Sequence, residues 1–184
     1  MCIRDSHNDM YPPSAQGQAR EVPVQDQVDE YEVIGPDGYG YPIYALKQNH
    51  KALYGSLISE QDMAKAYDDG NPYVNRDPRF YRDIIYHGSM FKGKWINTAT
   101  GADAINAANS TSTGYFTRKY FDGYYTKGMS GNWNFDAPLI RLATIYLVYA
   151  EAVTRSKGAT PEVYNLMNEL RARSFMLSLI HISE

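Results

Sequence analysis

Apolar residues occupy nearly every side of the stretch LIRLATIYLVYAEAV, residues 139–153. Such an all-round apolar surface is typical of a helix that is buried inside a protein. Asp136 and Pro138 provide a helix start before it, and Gly158 provides a stop after it. The pattern therefore predicts a buried helix, whose apolar part is too short to cross a bilayer.

A second helix is predicted directly after Gly158. Thr160 is a suitable cap, and Pro161 suits the first helical position. Its apolar residues recur at intervals of three and four and form one stripe: Val163, Leu166, Met167, Leu170 and Phe175. Because the connection is short, the two helices are predicted to form an antiparallel hairpin of the kind that stacks in tetratricopeptide arrays. One hairpin cannot bury its own faces, so further helices upstream are implied.

Shorter patterns fill the rest of the chain. A helical turn is predicted near 25–31, followed by loop, with a turn at Pro36, Gly38 and Gly40. A short helix is predicted over 60–69; it begins after Ser59 and stops at Gly70. Aromatic and β-branched runs predict extended segments at 80–87, 91–96 and 113–123, the first two forming a hairpin. Polar, glycine-rich or small-residue stretches predict loops at 7–20, 97–113 and 123–136.

The two ends of the chain look foreign to the rest. Residues 1–6, MCIRDS, can be encoded as ATG TGT ATA AGA GAC AGN, and residues 177–183, LSLIHIS, as CTG TCT CTT ATA CAC ATC TCN. Over their shared length these strings are reverse complements, and they resemble the transposase recognition end used to fragment DNA for sequencing libraries. We therefore interpret 1–6 and 177–184 as adapter-derived, and 7–176 as the genuine protein.

Composition narrows the possible functions. The net charge of −3 and the pI near 5.8 give no basic field that would attract nucleic acid or an anionic membrane surface. Cys2, the only cysteine, lies in the adapter-derived end, so no disulfide, thiolate nucleophile or cysteine metal site is expected. The 17 tyrosines have flat apolar faces with polar tips, which suit packing beneath loops and also stacking on sugar rings.

No catalytic or metal-binding motif stands out. The sequence contains no G-x-S-x-G, H-E-x-x-H or phosphate-binding loop. Asp77 and Asp83 do not form a recognisable pair of hydrolytic carboxylates. His7, His50 and His87 are scattered along the chain, so no metal site is expected. No cofactor is expected either.

Several motifs, taken in order, resemble the C-terminal half of SusD/RagB family proteins. The segment VPVQDQVDEYEV is similar to the family's P-T-Q-E-L-V-D-x-Y-E, and NRDPRF, residues 75–80, matches directly. The family's TGY-x-x-RK strand, P-x-x-R-x-A-E-x-x-L-x-YAEA helix and final N-x-[VIL]-R-x-R helix match at 113–119, 138–152 and 168–173. Thr144 departs from the pattern, because the family usually has a glutamate there.

The resemblance implies a mainly α, SusD-like fold, with a tetratricopeptide-type helix hairpin, long loops and a few short extended segments. Residues 7–176 would be the C-terminal portion of such a domain. The family consists of lipoproteins on the outer surface of the outer membrane of Bacteroidota-type bacteria, held by an N-terminal lipid anchor that this fragment lacks. They capture glycans or peptides for a SusC-like TonB-dependent transporter and perform no catalysis.

The charged stretch NRDPRF is interpreted as a structural clamp rather than a ligand site. Pro78 favours an extended conformation at Asp77, whose carboxylate can cap a turn or pair with Arg76 or Arg79. The clamp is expected to join this loop to the tetratricopeptide helices. Arg141 and Glu151 are likewise assigned to structure, because a carboxylate in a buried helix usually pairs with an arginine close to it.

Sugar-binding candidates are aromatic residues in the predicted loops and turns, where flat apolar faces can stack on pyranose rings. Packing over the core is the alternative role for each of them. The four selected as ligand-binding residues are Tyr39, Tyr41, Trp95 and Trp133; the further candidates are Tyr44, Tyr124 and Tyr125.

Two functions are consistent with these features. The first is a nutrient-binding protein of the outer membrane, as the resemblance implies. The alternative is a helical-repeat module for protein interactions without a role in glycan binding. Binding of the full-length protein to a panel of polysaccharides distinguishes the two.

Overall fold

A computed structural model describes residues 10–43, 67–119 and 139–176. Within these ranges the regular structure is mostly helical, with long irregular connections and strands of only two residues each. The α-helices are α1 (Gln25–Asp29), α2 (Pro78–Asp83), α3 (Leu142–Lys157) and α4 (Pro161–Ala172). A short 3-10 helix, Pro13–Ala15, interrupts the predicted loop 7–20. The strands are β1 (Val33–Ile34), β2 (Gly40–Tyr41), β3 (Ile84–Ile85), β4 (Met90–Phe91), β5 (Lys94–Trp95) and β6 (Phe116–Thr117).

The chain divides into two compact units. The described part of the first unit comprises 10–31 and 79–119, and that of the second comprises 32–43, 67–78 and 139–176. In the first unit β3 pairs antiparallel with β6, with Ile84 opposite Thr117, and β4 pairs antiparallel with β5. Its core contains large apolar side chains that are almost fully buried: Tyr11, Phe80, Ile85, Phe91, Ile96 and Phe116.

The prediction of a strand over 80–87 was wrong for its first half. Pro78 opens helix α2 because its fixed φ suits the first helical position, and the helix runs to Asp83. Phe80 is fully buried and packs against Tyr81 and Tyr86, with ring centroids 5.3 and 5.1 Å away. Only Ile84–Ile85 form a strand, and its partner is β6 rather than the segment 91–96.

The predicted strand 91–96 is replaced by a complete tight hairpin, β4–β5. Lys92 and Gly93 form its turn with φ values of 49° and 73°, the left-handed region that a two-residue hairpin turn requires. Met90 is opposite Trp95, and Phe91 is opposite Lys94. Glycine adopts this conformation at little cost, which suits Gly93 to the second position of the turn.

The small polar stretch 97–113 is irregular, as predicted, but it is not uniformly exposed. Thr98, Asp103 and Thr111 are buried. The hydroxyl of Thr111 accepts hydrogen bonds from the backbone N–H groups of Thr113 and Gly114, at 3.0 and 3.1 Å. The Thr111 hydroxyl thus gives these two backbone N–H groups the partner that regular secondary structure would otherwise provide.

In the second unit, β1 and β2 form an antiparallel pair around the turn at Pro36–Gly38. Val33 and Ile43 are fully buried there, and Tyr67 packs against them. The sequence patterns had predicted only loop after 31, so this pair was missed. Of the predicted helix 60–69, residues 60–66 lie outside the described part of the chain. Residues 67–69 are described and are not helical.

Helix α3 contradicts the prediction of a buried helix. It begins at Leu142, so Leu139 and Ile140 precede it and are 98% and 73% exposed. Ala150 is its only buried residue, while Ile145 and Val148 are more than half exposed. The apolar sides of α3 are thus largely uncovered by the described residues, since a two-helix hairpin buries only the face between its helices.

Helix α4 follows its predicted limits closely. Gly158, with φ of 81°, ends α3, and Pro161 opens α4. The Thr160 hydroxyl accepts a hydrogen bond from the Val163 N–H, which confirms the predicted cap. Phe175 does not belong to the apolar stripe, because α4 ends at Ala172 and Phe175 is 87% exposed.

Candidate functional site

The NRDPRF segment lies along strand β1 through backbone contacts. The Ile34 N–H donates to the Asn75 carbonyl at 2.6 Å, and the Asp77 N–H donates to the Glu32 carbonyl at 2.8 Å. Arg76 is 2% exposed and donates from Nη1 to the Pro72 carbonyl at 3.0 Å. Arg76 and Asp77 are therefore buried beside β1, whereas Asn75 is exposed.

Asp77 is fully buried, and Arg79 is half-buried in α2. A carboxylate out of contact with water is stable only when it has hydrogen-bond or charge partners. This burial is consistent with the clamp that the sequence predicts for Arg76, Asp77 and Arg79. The clamp itself remains a prediction, to be tested by substitution.

Glu32, whose carbonyl accepts the Asp77 N–H, also contacts helix α4 through its side chain. Arg171 Nη1 donates to Glu32 Oε1 at 3.0 Å and lies 2.9 Å from Oε2. Both side chains are largely shielded, with relative exposures of 9% for Arg171 and 18% for Glu32. An added Cβ atom at Gly40 would overlap Glu32 Oε2, so a larger residue there would have to displace this carboxylate.

Arg141 and Glu151 occupy different surroundings from those predicted. Arg141 is an exposed residue at the N-terminal boundary of α3 and forms no side-chain cap there. Glu151 is exposed and pairs with Arg155, one helical turn onward, with 2.5 Å between Oε1 and Nη2. The arginine near Glu151 is thus Arg155, and an exposed pair of this kind contributes little to stability.

The two tyrosines selected as ligand contacts differ in accessibility. Tyr41 is only 5% exposed, and its hydroxyl donates to Asp37 Oδ2 at 2.5 Å. Burial, followed by this hydrogen bond, raises the pKa of Tyr41 well above its usual value. Tyr39 is half-buried, and its backbone N–H donates to Asp37 Oδ1 at 3.0 Å. The ring of Tyr41 therefore serves the core of the second unit.

Trp95 is the most exposed of the selected aromatic residues within the described ranges, at 69%. Its cross-strand neighbour Met90 is 50% exposed. Side chains directly opposite each other on an antiparallel pair share one side of the sheet, with Cβ atoms about 5 Å apart. We call the surface formed by Met90 and Trp95 the hairpin face. Trp133 lies outside the described residues.

The other side of the hairpin is firmly anchored. Phe91 and Ile96 are each 1% exposed, and the ring of Phe91 packs against Tyr11 with centroids 5.4 Å apart. Lys92 Nζ lies 4.8 Å from the centroid of the Tyr11 ring, a cation–π contact. Lys94 Nζ donates to the Ser14 carbonyl at 2.7 Å. Contacts of Phe91, Lys92 and Lys94 with Tyr11 and Ser14 thus hold the hairpin in place, while Met90 and Trp95 remain exposed on its other side.

Aromatic side chains surround Phe80 in the first unit. Tyr31 and Tyr86 both contact the Phe80 ring, and the Tyr31 hydroxyl donates to Asp83 Oδ2 at 3.2 Å. Burial, followed by the electrostatic effect of Tyr81, raises the pKa of Tyr86. Asp83 Oδ2 also lies 3.8 Å from Lys119 Nζ, so its carboxylate is part of a structural network.

Sequence reasoning missed two residues of these sites, Glu32 and Met90. Glu32 had a signal, because it lies in the family-like segment that ends in YEV, while Arg171 lies in the final helix motif. Met90 also had one, because Gly93 in the stretch MFKGKWI favours a tight turn between two short strands. Neither signal identifies the partner residue without the fold.

Among residues 10–43, 67–119 and 139–176, histidine, cysteine, aspartate and glutamate form no group of three or more that could hold a metal ion. Within the same ranges, no helix has both the length and the apolar character needed to cross a membrane.

Comparisons with known proteins agree on one family. The family model for the SusD family matches residues 4–179. Among solved structures, a SusD-like carbohydrate-binding protein from Bacteroides fragilis has a TM-score of 0.63 at 19% identity, with 95% of this chain and 31% of that chain covered. A SusD-like protein from the same organism has a TM-score of 0.54 at 25% identity, with 90% and 30% covered. No curated protein matches the chain. The chain spans less than a third of the length of these two structures.

Proposed function

This chain belongs to the SusD family, and from that premise we propose that it is part of a cell-surface protein that binds a glycan or another nutrient. The observation that carries the proposal is the family match over 4–179, together with the fold shared with a protein described as carbohydrate-binding. The bound nutrient is then delivered to a SusC-like TonB-dependent transporter. The protein acts as a binding component, and we assign it no catalytic step.

The proposed location is the outer surface of the outer membrane. An N-terminal lipid anchor is proposed to hold the protein there. Residues 7–176 are its C-terminal portion, and 1–6 and 177–184 derive from a sequencing adapter. Protease treatment of intact cells tests the location, since a surface protein is digested while a periplasmic control protein survives. Sequencing the genomic locus with adapter-free reads tests the two ends.

The proposed ligand contacts are Tyr39, Tyr41, Trp95 and Trp133, and the exposure of Trp95 makes it the strongest of the four. The buried hydroxyl of Tyr41 favours a supporting role for that residue. Arg141 and Glu151 are exposed and are expected to contribute little to stability, whereas Arg76, Asp77 and Arg79 are proposed to stabilise the fold. Their substitution is expected to change the free energy of unfolding before it changes ligand affinity.

Affinity electrophoresis of the full-length protein against a panel of polysaccharides tests the proposal directly, with parallel calorimetry against peptides. Retardation by at least one polysaccharide, or heat of binding to peptides, is the expected result. Neither response from a folded sample would reject nutrient binding and favour a helical-repeat interaction module. Co-purification with a SusC-like transporter, encoded by an adjacent gene, tests the partner.

A further inference from the structure

Strand β5 has an open backbone edge at Trp95. Pairs along an antiparallel hairpin alternate between hydrogen-bonded and non-hydrogen-bonded levels. The Ile96 N–H donates to the Ser89 carbonyl at 2.9 Å, so the next pair toward the turn, Met90 and Trp95, belongs to the non-hydrogen-bonded level. The backbone N–H and carbonyl of Trp95 therefore point away from the hairpin, and no described residue pairs with them.

The same edge continues to Asn97. The N–H groups of Ile96 and Thr98 face inward, since they donate to the Ser89 carbonyl and to His87 Nδ1, at 2.9 and 3.1 Å. Backbone groups alternate in direction along an extended chain, so those of Asn97 face outward, as those of Trp95 do. Within the described ranges they also have no partner. Two outward residues about 7 Å apart thus present main-chain donors and acceptors at the spacing of a strand.

The opposite edge of the hairpin, along β4, is interrupted by a bulge. Gly88 donates its N–H to the Ile96 carbonyl at 2.9 Å while Ser89 accepts the Ile96 N–H, so two residues oppose one. Gly88 has a φ of 79°, the left-handed conformation that is common at the first position of such a bulge. A bulge twists an edge away from further pairing. It protects β4 and leaves β5 unprotected.

Charged side chains do not protect the β5 edge either. Lysines commonly prevent the pairing of an exposed edge with another chain. The two lysines of the hairpin are engaged elsewhere, because Lys94 Nζ donates to the Ser14 carbonyl at 2.7 Å and Lys92 Nζ lies 4.8 Å from the Tyr11 ring centroid. Both contacts lie on the side of the hairpin that packs against the core, so they hold the lysines away from an incoming strand.

We propose that the β5 edge from Trp95 to Asn97 docks an extended, uncharged segment of a partner protein, which adds to the hairpin as a third strand. Outward main-chain donors and acceptors at strand spacing are complementary to another extended chain. The residue opposite Trp95 in the added strand shares its side of the sheet, which favours an aromatic or β-branched residue there.

The shortness of the edge favours a segment of a protein over a free peptide. Each main-chain hydrogen bond makes a small net contribution, so a few of them bind a free peptide weakly. A segment that belongs to a partner held nearby by other contacts has a high effective concentration and pairs readily. This inference does not depend on nutrient binding.

Nuclear magnetic resonance of the isotope-labelled full-length protein tests the edge, with short capped peptides of alternating threonine and valine as the probe. The expected result is a chemical-shift change and slower hydrogen exchange at the Trp95 and Asn97 amides, with dissociation constants in the millimolar range. Peptides with the same side chains but a methyl group on every backbone nitrogen have no N–H donors, and this response should be lost with them. This comparison uses wild-type protein, so it does not depend on the folding of a variant.

A matched pair of variants tests the protein side. Asn97→Pro and Asn97→Ala both remove the side-chain amide, but only proline also removes the outward N–H. In samples that melting curves show to be folded, Asn97→Pro should bind the peptides several-fold more weakly than Asn97→Ala, as expected for one hydrogen bond.

The opposite outcomes are equally definite. No response at the Trp95 and Asn97 amides, an equal response to the methylated peptides, or a response to neutral polysaccharide alone would overturn pairing at this edge. Micromolar binding of a free peptide would overturn the partner protein as the source of the strand. Affinity electrophoresis of the same samples measures nutrient binding separately, so either result leaves the proposed function to its own test.

Discussion

Arg171 in helix α4 lies 2.9 and 3.0 Å from the two carboxylate oxygens of Glu32, a residue 139 positions earlier in the chain. The carbonyl of Glu32 also accepts the N–H of Asp77. One residue thus joins the NRDPRF segment, through its backbone, to the last helix, through its side chain. The sequence instead predicted that Arg76, Asp77 and Arg79 join this segment to the helices, and it assigned Glu32 no part.

Glu32→Gln is expected to lower the free energy of unfolding by about 2–4 kcal/mol, because it leaves a shielded guanidinium without its counter-charge. Arg171→Met should cost a similar amount, and the double variant less than the sum, since neither charge is then left alone. Urea denaturation measures all three. Glu151→Gln is the matched control and should cost at most about 0.5 kcal/mol, because its pair with Arg155 is exposed. Equal effects at Glu32 and Glu151 would contradict a stabilising role for the buried pair.

Asp77→Ala is expected to destabilise the protein by about 1–3 kcal/mol, because it removes a fully buried carboxylate and leaves its partners unsatisfied. Ligand affinity of the remaining folded protein should not change. Asp69→Ala, at an exposed position of a neighbouring turn, should shift the unfolding free energy by no more than about 0.5 kcal/mol. An unchanged melting temperature together with lost ligand binding would reverse the assignment and make Asp77 a ligand residue.

Ile145→Lys is expected to leave the stability of this chain within about 0.5 kcal/mol of wild type, because the side chain is 55% exposed. The same substitution in a buried helix would cost several kcal/mol. Val163→Lys, at an 8% exposed position of α4, provides the contrast and should be strongly destabilising. Binding of a hydrophobic dye should fall in the Ile145 variant, since less apolar surface remains. Severe unfolding by Ile145→Lys would show that α3 is covered.

Tyr41 gives a pH prediction with a definite sign. Its pKa is raised in the folded protein, so the native state holds the phenol proton more tightly than the unfolded chain does. The stabilisation is fully present below a pH of about 10, the usual tyrosine value, and is lost as pH rises further toward the native pKa. Tyr41→Phe should therefore flatten the alkaline loss of stability measured by denaturation at successive pH values. Asp37→Asn should lower the pKa of Tyr41, detected as earlier tyrosinate absorbance. An identical alkaline profile for Tyr41→Phe would contradict the raised pKa.

The ends of helices could be predicted from the sequence, whereas contacts between residues far apart in the chain could not. Gly158, Thr160 and Pro161 specify the end of one helix and the start of the next through their own backbone preferences. The NRDPRF motif likewise identified the SusD family, which the family model confirms. By contrast, Phe80 belongs to a run whose aromatic and β-branched composition favours strand, and only its tertiary packing and Pro78 make the segment helical.

The candidate site shows the same limit. The exposure of Trp95 depends on where the turn falls, and a single-strand interpretation of 91–96 would have given it a different neighbour. The contact between Glu32 and Arg171 depends on folding across 139 positions, which periodicity does not reveal. The exposure of α3 depends on which other parts of the protein pack against it. A hydrophobic pattern predicts that packing against such a surface is favourable, but it does not show whether a packing partner is there.

The pairing of β3 with β6 affects which sequence changes this protein can accept during evolution. Ile85 and Phe116 are neighbours, so residues 86–115 leave the pair and return to it at adjacent points. Lengthening or shortening a segment whose ends already meet costs little, since loop closure depends only weakly on loop length. Related chains can therefore differ in the length of the exposed parts of this excursion while the strands on either side keep their register. Phe91 and Ile96 lie within it and are buried in the core of the first unit, so these two positions stay tied to fold stability.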